Sequence, residues 1–429
     1  MKNYITLFSI CIASFACAQQ SIPLPEISLS EVTRVETMLS SDQMEGRKVY
    51  SAGIDRAADF IAGEFKNAGL ETLKGANGYL QTFSMLRPKF LSAKGTIDGA
   101  EVAEKNIIVF TTKPVVTVDQ ASGYEVARIL STDTFNSKVR PFLLGTKNVI
   151  VFVDPSQEAQ FNNLKRFKRE TKPKENNVIF VLTEKTPVNF SIEARHEFTE
   201  LKLSNVVGVL PGRSRKEEYV IFSGHYDHLG VGRPNANGDS IYNGANDDAA
   251  GTTAVIMLAK YFAKQKNNER TIVFATFTAE EVGGYGSQYF SLQFQPEKVV
   301  AMFNIEMIGT DSKWGNNSAY ITGYEKTDMG LILQKNLEGS QFKFYPDPYP
   351  TQGLFTRSDN ATLARLGVPA HTISTSKMDT EKFYHTQEDE LETLNLENMT
   401  EIIKAIAISS TSIISGKDTP SRVDTKQLR

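Results

Sequence analysis

A chain of 429 residues, 40% hydrophobic and 23% charged, has the make-up of an ordinary globular protein and is longer than one average domain. A formal charge of −3 gives no general attraction for nucleic acid, so that class of partner is not expected.

Residues 1–18 read as an export signal. Lys2 supplies the positive start, Ile5 to Phe15 is mostly apolar, and Ala16-Cys17-Ala18 offers the small residues of a cleavage site. The apolar run is short for a bilayer span, and no later segment approaches the ~20 apolar residues a membrane helix needs. The mature protein is therefore expected in the periplasm or outside the cell, without an integral membrane segment. A lipid anchor through Cys17 fits the preceding residues poorly. Cleavage after Ala18 removes Cys11 and Cys17, the chain's two cysteines. That leaves no disulfide and no thiolate metal site, so any metal must sit on His, Asp and Glu.

Leu29 to Leu70 reads as helical, with Ile54, Ala57, Ala58, Ile61, Phe65 and Ala68 on one face and Gly69 as a stop. Residues 19–87 are taken as the helical start of the main domain. From 88 to 203, apolar β-branched runs such as Val149 to Val153 and Val178 to Leu182 predict a β-rich inserted domain, with a short helix from Glu158 to Phe167. The basic run Lys165 to Arg169 reads as a solvated face. From 204 to 415 strands and helices alternate. Strands are expected at Tyr219–Ser223, Thr271–Phe277, Val299–Ile305 and Val368–Ile373, with helices at Ala249–Lys264 and Leu396–Ile414. This predicts an α/β fold, with a mixed, largely parallel central sheet flanked by helices and a crevice beyond the strands' carboxyl ends. The polar stretch 416–429 reads as a disordered tail.

The strand ends carry the chemistry. His225-Tyr226-Asp227-His228 follows the first strand, and Asn246-Asp247-Asp248 precedes the next helix. Glu280-Glu281 follows the second strand, Glu306 ends the third, and Tyr384-His385-Thr386 comes late. Each has a plainer reading alone: a buried histidine, a helix cap, an acidic first turn, a surface acid. Together they gather acids and imidazoles in one crevice, which is costly unless a cation sits among them.

These blocks resemble the M28 family of zinc peptidases, which includes bacterial leucyl-type aminopeptidases. His225 to Gly230 with Asn243 to Gly251 forms the most specific part, and Met44-Glu45-Gly46-Arg47 resembles the family's opening. The insertion is at best loosely similar to a protease-associated domain. The resemblance implies the zinc-dependent exopeptidase fold, two zinc ions per chain and peptide substrates with a free N-terminus. His225 would bind one zinc and His385 the other, with Asp247 bridging. Glu281 would complete the first site and Glu306 the second. Glu280 would be the general base, and Asp227 would fix an imidazole. His228 and Asp389 are further supporting residues, whereas His196 and His371 read as structural. Asn246 and Glu306 stand where the family more often has Asp, and Asn360 where it often has His. The loops Gly232–Tyr242 and Tyr345–Arg357 would wall the pocket. Alternatives on the same scaffold are a carboxypeptidase or dipeptidase, a one-zinc glutaminyl cyclase and a non-catalytic binding module. Blocking the substrate's N-terminus and counting zinc separate them.

Overall fold

In the computed structural model, residues 24–428 are described, apart from 77, 168, 169 and 185. The expected export signal lies outside them. The chain divides into two compact units: residues up to Gln81 together with those from Asn205 onward, and the intervening Thr82–Ser204.

The larger unit is built on strands β1 (Arg215–His225), β2 (Arg270–Phe277), β3 (Val299–Ile305), β4 (Ser318–Ile321), β5 (Lys343–Pro346) and β6 (Ala370–Ser374), in the order β5-β4-β6-β3-β1-β2. β1 runs parallel to both β2 and β3, and β3 is parallel to β6. β4 opposes β6, and residues 206–210 pair antiparallel with β2. The parallel strands are buried on both faces, which is why they appear as unbroken apolar runs rather than alternating ones. Their shared direction brings the ends of β1, β2, β3 and β6 to one edge.

Helices α1 (Leu29–Leu39), α2 (Ala52–Asn67), α3 (Ala250–Gln265) and α4 (Leu396–Ser409) share one core. Ser28 and Ser51 cap the first two through their side-chain oxygens. Phe222 of β1 stacks on Phe274 of β2, Phe303 of β3 and Phe262 of α3 at 4.9–5.8 Å between ring centroids, and this aromatic row fastens that layer to the sheet. Ile221, Val273, Met302 and Ala370 point into a second core with Phe290, Leu363 and Val423. This is the mixed, largely parallel sheet flanked by helices that the strand–helix alternation predicts.

Two local readings are corrected. The first helical run breaks at Asp42–Arg47, where Glu45, Gly46 and Arg47 take positive φ. A Cβ on Gly46 would lie 2.4 Å from the Tyr242 carbonyl, so that close approach requires glycine. The tail is packed rather than loose. Val423 is buried, Arg422 donates to the Val299 carbonyl at 2.8 Å, and buried Arg270 donates to the Asp418 carbonyl at 2.6 Å.

The smaller unit contains a four-stranded sheet in the order Ile107–Phe110, Val178–Leu182, Val149–Val153, Glu125–Ile129. Helices Phe135–Leu144 and Glu158–Asn163 bury Phe135, Val139 and Phe161 on one face. On the other face Val116, Val118, Ile192 and Ala194 pack from a further antiparallel pair. No helix among the described residues is long and apolar enough to cross a membrane.

Candidate metal centre

His225 is the last residue of β1 and is buried. Its Nδ1 lies 3.0 Å from the Asp227 carbonyl, which can only accept, so Nδ1 carries the proton and Nε2 offers its lone pair. That Nε2 is 3.1 Å from Asp247 Oδ1. Glu306 comes directly after β3, with its N–H on the Ile373 carbonyl at 3.1 Å. Glu281 stands four residues past β2. His385 arrives on a loop with φ 59°, and its Nε2 is 3.2 Å from both Asp247 Oδ2 and Glu281 Oε2.

Asp247 therefore stands between two clusters. His225, Asp247 and Glu306 offer ligand atoms within 4.8 Å of one another, and so do His228, Asp247 and Glu281. His385 closes on the second cluster. The expected carboxylate pairing is reversed: Glu306 groups with His225, and Glu281 with His385. The reason is topological. β3 lies directly beside β1, and Glu306 leaves it after a single step. Glu281 follows a turn that carries it away from His225 and towards the 385 loop. His228 enters the second cluster more closely than expected, with Nδ1–H donating to Glu281 Oε1 at 2.8 Å.

The support is mostly backbone held by buried carboxylates. Asp227 fixes the His225 imidazole through its carbonyl rather than its carboxylate, which is 3.8 Å away. The carboxylate instead accepts the N–H groups of Glu280 and Glu281 at 3.0 and 3.3 Å. Asp389 accepts those of Asn246 and Asp247 at 2.8 and 3.0 Å. Asn246, in turn, accepts from Gly309 N–H at 2.8 Å.

Sequence reasoning named two residues without giving them a role. Asp248 accepts from the N–H groups of His225, Gly251 and Met307, tying three segments of the site together. Arg47, fully buried, donates to the carbonyls of Leu39, Tyr226, Asn243 and Gly244 at 2.6–2.9 Å. An Asp beside Asp247 and an Arg in a polar run were the signals available. Neither says which carbonyls or N–H groups it will meet.

His371 is structural, its Nδ1–H donating to the Thr322 carbonyl at 2.9 Å while Nε2 accepts from the Thr327 hydroxyl at 2.8 Å. His196 packs between Phe90 and Phe198 in the smaller unit. Asn360 braces backbone, donating to the carbonyls of Phe355 and Ala370.

The site's charge is strongly unbalanced. Burial pushes the carboxyls of Glu306 and Asp227 up to about 7 and those of Asp359 and Asp389 to about 6, and raises Glu280 and Asp248 well above the usual range. Burial pulls the His385 imidazole down, but Asp247 and Glu281 outweigh it and carry it to about 10. Asp247 itself is held low against its burial by His225 and His385. His225 Nε2, Asp247 Oδ2 and Glu306 Oε2 are buried without a hydrogen bond. Unsatisfied lone pairs of nitrogen and oxygen, aimed into an acidic pocket and free of sulfur, suit zinc. Glu280 belongs to neither cluster but lines, with Asp247, Glu306 and His385, an open cleft.

Residues 205–409 match the model of peptidase family M28. A probable zinc metalloprotease of Leptosphaeria maculans is 32% identical over 114 residues, 26% of this chain and 26% of that protein. Leucine aminopeptidase 1 of Ajellomyces dermatitidis is 28% identical over 210 residues, 46% of this chain and 52% of that one. The chain thus spans a quarter to a half of these relatives' lengths. In fold it resembles the crystal structure of a zinc aminopeptidase from Bacillus subtilis, with TM-score 0.54 and 15% identity over 94% of this chain and 99% of the other. Both clusters and Glu280 lie within residues 205–409, the part of this chain that belongs to peptidase family M28.

Proposed function

We propose that this chain is a zinc-dependent aminopeptidase that removes N-terminal residues from peptides. The reading rests above all on one observation: His225 and Glu306 on one side, and His385, His228 and Glu281 on the other, converge on the single carboxylate of Asp247. His225, Asp247 and Glu306 would hold one ion, and Asp247, Glu281 and His385 a second. Bound zinc would act as a Lewis acid toward the scissile carbonyl and lower the pKa of water.

The rest is the work of the chain's own groups. Glu280 shares the cleft without joining either cluster, so its carboxylate is free to accept a proton from the attacking water and return it to the leaving amine. Asp227 is a positioning residue, holding the backbone of Glu280 and Glu281. The cluster of acidic side chains in the pocket suits a substrate's free ammonium, which favours attack at the N-terminus. With residues 1–18 read as an export signal, the enzyme works outside the cytoplasm.

The test is a panel of unblocked aminoacyl substrates assayed with and without a chelator, followed by zinc add-back. Activity lost on chelation, restored by zinc and abolished by N-acetylation of the substrate is the expected result. Unchanged cleavage of the acetylated substrates overturns the aminopeptidase reading, and chelator-insensitive activity overturns the metal.

A further inference from the structure

The cleft that holds Asp247, Glu280, Glu306 and His385 also carries Arg357 on its wall. Arg357 follows the short helical turn Leu354–Thr356, and its backbone N–H on the Leu354 carbonyl at 3.1 Å fixes where the side chain departs. The side chain is exposed and makes no ion pair or hydrogen bond with any described residue. Several other arginines of the larger unit find carboxylates: Arg34 pairs with Glu31 and Glu64, Arg56 with Glu45, and Arg215 with Glu218. Arg357 shares a cavity with two glutamates and an aspartate and pairs with none of them. Apart from the imidazole of His385 it is the one cationic side chain lining that cavity. The cleft therefore carries both carboxylates and an uncommitted guanidinium on its wall.

The rest of the wall is mixed: Thr322, Ser358, Thr372 and Ser374 bring hydroxyls, and Met307, Leu354 and Met378 bring apolar surface. A ligand carrying both an ammonium and a carboxylate would meet complementary charge at two points. A guanidinium is the side chain best shaped for a carboxylate, through paired N–H donors in a fixed fork.

We propose that Arg357 is a specificity residue that binds a carboxylate of the substrate. This deepens the aminopeptidase reading and rests on it. The carboxylate comes either from an acidic first side chain or from the free C-terminus of a dipeptide.

Two matched pairs of substrates distinguish the sources. Glutamyl- and glutaminyl-para-nitroanilide differ only in a side-chain carboxylate. Leu-Gly and its C-terminal amide differ only in the α-carboxylate. The zinc-loaded wild type is expected to favour the charged member of one pair by roughly 10- to 100-fold in kcat/KM, the range of one charge-assisted contact. Arg357→Met should bring that ratio to within about twofold of one, and Arg357→Glu should invert it. Because each ratio is taken on a single preparation, a general loss of activity or folding cancels. A wild type indifferent to both pairs, or an Arg357→Met variant that keeps the preference, overturns the proposal while leaving the peptidase standing. Failure of the wild type to cleave even leucyl-para-nitroanilide overturns the parent reading, and this one with it.

Discussion

Asp247 is approached by three imidazoles, with nitrogen atoms at 3.1, 3.2 and 4.0 Å from its oxygens, and no other carboxylate of the site is shared in this way. Replacing it with Asn should therefore weaken both ions together, and metal analysis that finds one ion retained at full occupancy would argue against a bridge. Glu280→Gln keeps the size of the side chain and removes its basicity. Turnover should fall by about 10²- to 10⁴-fold with zinc content unchanged, as a comparison of kcat with metal analysis on the same sample would reveal. A third residue speaks to stability. Burial pulls the His371 imidazole down to about 4, so the fold prefers it neutral. Its contribution is complete above the ordinary value of 6.5 and is lost as pH falls from there toward 4. Urea titrations of wild type and His371→Gln should show a stability gap that narrows over that window. A gap independent of pH would mean that His371 is not held neutral by the fold.

Among the elements, the bend at Asp42–Arg47 acts on the site from outside it. Arg47 reaches four carbonyls, among them Tyr226 between His225 and Asp227, and Asn243 and Gly244 just ahead of Asp247. Removing a buried cation that donates to four carbonyls leaves them unpaired, at a cost of about 3–5 kcal/mol. Arg47→Met should lower the urea midpoint accordingly and also loosen zinc, because both loops lose their brace. A variant of wild-type stability would contradict this. This is also where the sequence was least informative. Apolar runs ending in His225 or Glu306 are visible along the chain because parallel strands must be buried on both faces. Which acid faces which imidazole depends on the order of strands across the sheet, which no local pattern encodes. The four-residue strands Ser318–Ile321 and Lys343–Pro346 were missed because so short a stretch shows no period. The tail was misjudged because a few anchors, Val423 and Arg422, outweigh its polar composition.

For the molecule as a whole, folding gathers buried acids whose mutual repulsion a bound cation would relieve, so metal binding is expected to be linked to stability. Removing metal should lower the melting temperature, and zinc should restore it in a concentration-dependent way. A melting curve indifferent to chelator would separate the site from the fold's energetics. Zinc counted per chain by mass spectrometry tests most directly whether one shared aspartate joins two ion sites. Two ions in the wild type and in Glu280→Gln, one in His225→Ala or His385→Ala, and none in Asp247→Asn is the predicted series. A wild type that takes up no zinc, or an Asp247→Asn variant that still holds two ions, would contradict it.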